Sequence, residues 1–123
     1  MTICSNEKDH TANKLPAYLR YKSARIDNVR DIAKNKGLPF FILSGEYGLV
    51  AENDTVPYYD HLLVQDEVDG MTALVSSQNK ALKITSIEFY AKSKKGSWVP
   101  YYSVVERMTK EQGISLKIVE AGL

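Results

Sequence analysis

The stretch FFILSGEYGLVAENDTVPYYDHLL, residues Phe40–Leu63, decides how this chain is read. Its first five residues are apolar or small and do not alternate with polar ones. Extended backwards to Leu38, the run LPFFILS has the length of one strand and is bounded by Gly37 and Gly45. An unbroken apolar run of that length suits a strand covered on both faces, as in a parallel sheet. The next segment differs in kind: it is long and polar, and carries Ser44, Tyr47, Tyr58, Tyr59, Asp60 and His61. A loop that only joined two elements could be shorter and plainer.

On the amino-terminal side, the residues before Gly37 read as one helix. PAYLRYKSARIDNVRDIAKNKG opens on Pro16, a favoured first-turn residue, and closes on Gly37, a favoured stop. Tyr18, Tyr21, Arg25, Val29 and Ile32 recur within it at three- and four-residue steps. Ahead of it, MTIC is a short apolar start that can form a strand, followed by the polar SNEKDHTANKL. After the long loop, QDEVDGMTALVSSQNKAL has helical spacing at Val68, Met71, Leu74 and Val75, with Gly70 against it. LKITSIEFYA reads as a strand, VPYYSVVERMTKEQG as a helix and ISLKIVE as a last strand.

Strands alternating with helices predict an α/β fold: a single three-layer domain, residues 1–123, with a mainly parallel four-stranded sheet and helices on both faces. Ligands of such sheets bind beyond the carboxyl ends of the strands, where the strand order reverses. That rule gathers Ser5 to His10, Ser44 to His61, Lys92 to Trp98 and Glu120 into one region.

The totals narrow the partners. Sixteen basic and fifteen acidic residues argue against a protein whose whole surface binds nucleic acid, though not against a local basic patch. One cysteine, Cys4, leaves no intramolecular disulfide and no cysteine zinc cluster. No secretory leader or membrane-length apolar run is visible, so the expectation is a cytoplasmic protein with no membrane partner. Eight tyrosines against three phenylalanines suit half-buried clefts and interfaces.

Several pieces look familiar together: Cys4-Ser5 with Lys8 downstream, ILSGEYGLV at Ile42–Val50, and VPYYDHLL at Val56–Leu63. With YYSVVERM and the terminal Gly122-Leu123, they resemble a family of small microbial and phage domains related to the YaaA peroxide-stress proteins, and modules found beside tRNA-guanine-transglycosylase-type enzymes. The resemblance places Tyr59 and Asp60 at the family's Tyr-Asp positions. It departs in a shorter first strand, and in His61 where an apolar residue is usual. It implies a role connected with a nucleobase, a nucleotide or a nucleic acid.

Each candidate residue has two readings. Ser44-Gly45-Glu46-Tyr47-Gly48 is an anion-cradling turn or a plain tight turn; it matches neither a P-loop nor a nucleophile elbow. Asp60 is an acid–base or sugar-hydroxyl group, or a helix cap. Lys8 is a phosphate partner or nucleophile, or a surface lysine, and Cys4 with Ser5 is reactive or inert packing. Tyr47, Tyr58 and Tyr59 stack on a base or pack the loop. Lys92, Lys94 and Lys95 beside Trp98 contact phosphate and base, or form a solvated loop around one buried ring. His10, His61, Asp60 and Glu46 lack ligand spacing, and no metal or other cofactor is expected.

The candidate catalytic set is therefore Asp60, Lys8 and Ser44, and the ligand-binding set is Ser5, Gly45, Tyr47, Gly48, Tyr59 and Lys94. Three functions fit: an enzyme-like domain for a nucleobase or nucleotide, a non-catalytic nucleic-acid-binding module, and an accessory interaction protein. Neither a catalytic role nor an oligomeric state is fixed by the sequence.

Overall fold

Local preferences break this chain into short elements, and tertiary contacts decide where each one stops. The computed structural model describes residues 1–5, 7–10 and 14–120, so Gly122 and Leu123 lie outside the described residues. In order come β1 (Thr2–Ile3), β2 (Leu15–Pro16), α1 (Ala17–Arg20), α2 (Ala24–Lys36), β3 (Phe41–Ser44) and β4 (Gly48–Ala51). Next are β5 (Thr55–Val56), α3 (Val68–Leu82), β6 (Ser86–Ala91), α4 (Val99–Gln112) and β7 (Ser115–Glu120). Single 3₁₀ turns at Gln65–Glu67 and Gly96–Trp98 lead into α3 and α4.

The single helix expected over 16–37 is interrupted. Tyr21 is extended, with φ −91° and ψ 124°, and its backbone bridges antiparallel to Lys8. Ser23 then opens α2, its Oγ accepting the Ile26 N–H at 3.3 Å. Serine is a poor interior helix residue and a strong cap, because its hydroxyl satisfies one of the orphan amide donors of the first turn. The apolar spacing carries on across the break, which is why periodicity alone reads one helix.

The expected single, mainly parallel four-stranded sheet in three layers is not what forms. The protein is mixed α/β, but its described strands fall into a three-stranded mixed sheet, β1-β3-β4, and two two-stranded sheets, β2-β5 and β6-β7. β1–β3 and β6–β7 are parallel, whereas β3–β4 and β2–β5 are antiparallel. The cause lies in the long loop. Gly45–Tyr47 form a tight turn and GLVA folds straight back on FILS, with Ser44 opposite Gly48 and Phe41 opposite Ala51. Gly48 sits at φ +72°, a left-handed conformation that side-chain-bearing residues rarely adopt.

The two parallel pairs touch at the start of β1. Tyr90 N–H donates to Met1 O, and the Met1 nitrogen donates to Glu88 O, both at 2.8 Å. From that junction the chain crosses through α2 to β3 on one side, and through α4 from β6 to β7 on the other. A crevice lies beyond the carboxyl ends of β1 and β6, lined by residues that follow each strand.

Ile42 and Leu43 are fully buried, as the unbroken apolar run implies, whereas Phe41 is only half-buried at the strand's first position. Burial of Phe41 on both faces is thus corrected; the neighbouring Phe40 is buried instead. α3 and α4 pack together, and Phe89, Tyr101, Val104 and Met108 are sealed in the core. Among the described residues no helix is long and apolar enough to cross a membrane.

Candidate functional site

The crevice is an open cleft of about 380 Å³. Its walls come from the end of β1 (Cys4, Ser5), from Lys8, from the first residues of α2 (Ser23, Ala24, Arg25), from His61 and Leu62, and from the β6–α4 connection (Lys92, Ser97, Trp98), with Tyr101. Lys8, Arg25, Lys92 and His61 lie in this lining, and among the described residues no carboxylate does.

Lys8 is placed by the backbone around it. Asp9 N–H donates to Arg20 O at 2.7 Å, and Lys22 N–H donates to Glu7 O at 2.9 Å. The fully buried Arg20 adds Nη1 to Asp9 O at 2.5 Å and Nε to Val56 O at 3.0 Å, tying this loop to β5. Lys8 is 6% exposed, and its ammonium lies 4.8 Å from the Tyr59 ring centroid and 5.9 Å from that of Tyr21. A ring face carries partial negative charge, which offsets part of the cost of taking an ammonium out of water.

Arg25 braces the cleft from α2. Its Nη1 donates to Thr2 Oγ1 at 2.6 Å and Ile3 O at 2.9 Å, and its Nη2 donates to Cys4 O at 3.2 Å. The guanidinium also lies 5.0 Å from the Trp98 ring centroid, joining the end of β1 to the approach to α4. Burial lowers its pKa from the ordinary value, because desolvation disfavours the charged form.

Beneath Lys8 lies a buried hydroxyl chain. Ser44 Oγ accepts the N–H groups of Glu46 at 3.1 Å and Tyr47 at 3.0 Å. Those bonds occupy both acceptor positions, so its own proton points to Tyr59 OH, 2.7 Å away. Tyr59 OH is also hydrogen-bonded to Tyr21 OH at 2.5 Å. Burial drives both phenols upward, Tyr21 to about 12 and Tyr59 further, so both stay neutral. Tyr101 OH accepts the Leu63 N–H at 3.1 Å, with Cys4 Sγ 3.5 Å away; its pKa too is raised by burial.

Gly45 explains how the turn reaches this layer. A Cβ built there would lie 2.7 Å from His61 O, 2.8 Å from Tyr101 OH and 3.0 Å from Leu63 N. His61 itself is clamped. Its Nδ1 bonds Glu46, and its Nε2 bonds Glu67 at 2.7 Å, so the ring bridges the β3–β4 turn to the approach to α3. The Glu67 carboxylate, above all, raises the imidazole pKa, with Glu46 adding to it. With both ring nitrogens engaged by carboxylates, the charged form of His61 is favoured and neither nitrogen is open to a metal. Among the described residues no group of three His, Cys, Asp or Glu is arranged to hold a metal ion.

The sequence-based candidates therefore separate. Lys8 and Ser5 line the cleft, with Ser5 Oγ donating to Glu7 O at 2.7 Å. Ser44, Gly45 and Tyr59 lie in the layer behind it, where Ser44 closes a turn and Tyr59 supports Lys8. Tyr47 packs edge-on to Tyr59 with centroids 5.2 Å apart, and Gly48 lies against Gln78. Asp60 is exposed and outside the cleft lining. Lys94 pairs with Glu106 at 2.8 Å, also outside it. Sequence reasoning missed Arg25 by counting it with the apolar helix stripe. A charge on a stripe of buried residues was the available signal.

A larger groove of about 500 Å³ opens at the amino ends of β1, β3 and β6, but aliphatic side chains such as Val29, Ile32, Leu38 and Leu82 dominate its wall. Its Glu88 is already paired with Lys36 at 2.9 Å.

Fold and cleft together define a small mixed α/β domain with a cationic crevice beyond the ends of β1 and β6. A family model, described as a family of unknown function (DUF6884), matches residues 1–121, and the chain belongs to that family. No curated protein and no solved structure matches it.

Proposed function

We propose that this domain binds a nucleotide or nucleobase-type small molecule in the cleft beyond β1 and β6. The observation that carries the reading is the composition of the lining: Lys8, Arg25, Lys92 and His61, an indole and, among the described residues, no carboxylate around about 380 Å³. That volume lies near the lower end of small-molecule sites, roughly 300–1,000 Å³. The resemblance of the Cys4-Ser5, ILSGEYGLV and VPYYDHLL motifs to YaaA-related domains supports the same chemistry. We further propose a cytoplasmic setting, where the buried free thiol of Cys4 stays reduced.

Calorimetric titration with nucleobases, nucleosides and nucleoside monophosphates tests this. Saturable 1:1 binding that Trp98→Ala weakens is the expected result, and no heat from any member of the panel ends the proposal. A second reading, in which the ligand is a nucleotide within a single strand, draws on the exposed Lys92 of the cleft lining and on exposed Lys95 three residues further along the chain. It requires affinity for a short oligonucleotide to fall steeply with added salt as counterions are released.

A further inference from the structure

We propose that the anchoring group of the ligand is a phosphate monoester, seated on the first amides of α2 and paired with Lys8. This rests on the cleft being the binding site, and adds which part of the ligand it grips.

The first support is the helix terminus. α2 has 13 residues, and its cap residue Ser23 takes only the Ile26 N–H on its side chain and the Asp27 N–H on its carbonyl. The N–H groups of Ala24 and Arg25 receive no acceptor from the described residues, and both residues line the cleft. Unsatisfied amides at the positive end of a helix dipole attract an anion.

The second support is independent of the helix. Lys8 is 6% exposed, yet its Nζ has no hydrogen bond or ion pair among the described residues. Its contacts are the Tyr59 and Tyr21 rings. Among the described residues, the unpartnered side-chain atoms sealed from solvent are on Arg30, Thr72, Ser76 and Asn79 and not on Lys8, which lines the cleft. A buried cation without a counter-charge is costly unless something completes it.

Among the described residues no carboxylate pairs with Lys8: neither its sequence neighbours Glu7 and Asp9 nor any other acid forms an ion pair with it. Glu46 and Glu67 hold His61, Glu106 holds Lys94, and Glu120 accepts from Ser93. The missing negative charge must then come from the ligand. A monoester phosphate carries about −1.5 to −2 charge at neutral pH and three terminal oxygens. That matches Lys8, two amides and the rim cation Lys92 better than the single charge and two oxygens of a carboxylate. The Arg25 guanidinium is already occupied by Thr2, Ile3 and Cys4 and contributes field more than direct bonds.

The test uses the whole chain and three probes: inorganic phosphate, the common nucleoside 5′-monophosphates and their nucleosides. The expected result is that monophosphates bind roughly 10–100-fold more tightly than nucleosides, and that Lys8→Gln removes that difference. Inorganic phosphate should compete with the monophosphates and shift the amide resonances of Ala24 and Arg25 in wild-type protein, a readout that needs no variant. Lys92→Gln, at an exposed position, should weaken monophosphates while keeping the wild-type melting temperature, even if Lys8→Gln folds poorly. Equal affinity for nucleosides and monophosphates, with silent Ala24 and Arg25 amides, overturns the phosphate anchor but leaves the nucleotide reading standing. Phosphate binding that depends on Lys8, with no nucleotide or nucleoside bound, keeps the anchor and removes the nucleotide reading. Silence from all three probes removes both.

Discussion

Gly45→Ala isolates one consequence of the tight approach between the β3–β4 turn and the segment after Asp60. The new methyl carbon would lie 2.7 Å from His61 O, 2.8 Å from Tyr101 OH and 3.0 Å from Leu63 N. Two of those atoms are backbone, and the third belongs to a phenol that is fully buried, so none is the free end of a flexible chain. Overpacking of this kind costs about 1–3 kcal/mol. Pushing Leu63 N away from Tyr101 OH also strains their 3.1 Å hydrogen bond, worth about 1 kcal/mol. The expected loss is therefore about 2–4 kcal/mol, or a fall in melting temperature of roughly 8–15 °C for a domain of this size. Urea unfolding followed through the single tryptophan, Trp98, measures it directly. Gly70→Ala is the internal control: nothing lies within 4 Å of its added carbon, and alanine inside a helix should stabilise by about 0.5–1 kcal/mol. A loss below about 0.5 kcal/mol at Gly45, with an unchanged denaturant slope, would falsify the close-packed account of this turn.

Phe89→Ala empties a fully buried site and should cost about 3–5 kcal/mol, whereas half-buried Phe41→Ala should cost roughly half as much; equal losses in chemical denaturation would contradict the assigned burial. Ser44→Ala deprives the Glu46 and Tyr47 amides of their acceptor and Tyr59 of its donor, so stability should drop by about 1–3 kcal/mol. A neutral result there shows that water replaces the hydroxyl. His61 has its pKa raised from 6.5, chiefly by Glu67, so its share of stability is full below that value and lost as pH rises through the raised one. Glu67 has its pKa lowered from 4.5, chiefly by His61, so its share is present above that value and lost as pH falls. Wild type should therefore exceed His61→Gln in melting temperature most between about pH 4.5 and 6.5, with the gap narrowing above; a gap that is flat from about pH 5.5 to 9 shows no charged clamp.

Local chemistry fixed much of this protein in advance. The uninterrupted LPFFILS run specified a buried strand because no alternation was present to leave one face in water, and Ile42 and Leu43 are fully buried. The spacing of Val68, Met71 and Val75, and the proline and glycine bounding 99–113, gave α3 and α4 close to their observed limits. Lys8 and Ser5 were legible as residues beyond a strand end, and both line the cleft. Other features depended on partners distant in sequence. GLVA becomes β4 because FILS is beside it to receive its hydrogen bonds, and four residues carry too little pattern to announce that pairing alone. Helix 16–37 breaks at Tyr21 because its backbone bridges Lys8 and its hydroxyl bonds Tyr59, 38 residues away. Arg25 looks like one more residue of a helical stripe until the end of β1 and Trp98 surround it. Asp60, beside Tyr59 in sequence, turns outward while Tyr59 turns in, because neighbours in an extended segment face opposite ways. Residue order thus specified which segments could be buried and where cations were available. Folding settled which carboxylates those cations would meet, and among the described residues it left Lys8 with none, since ion pairing depends on a few ångströms between chain segments that sequence order does not encode.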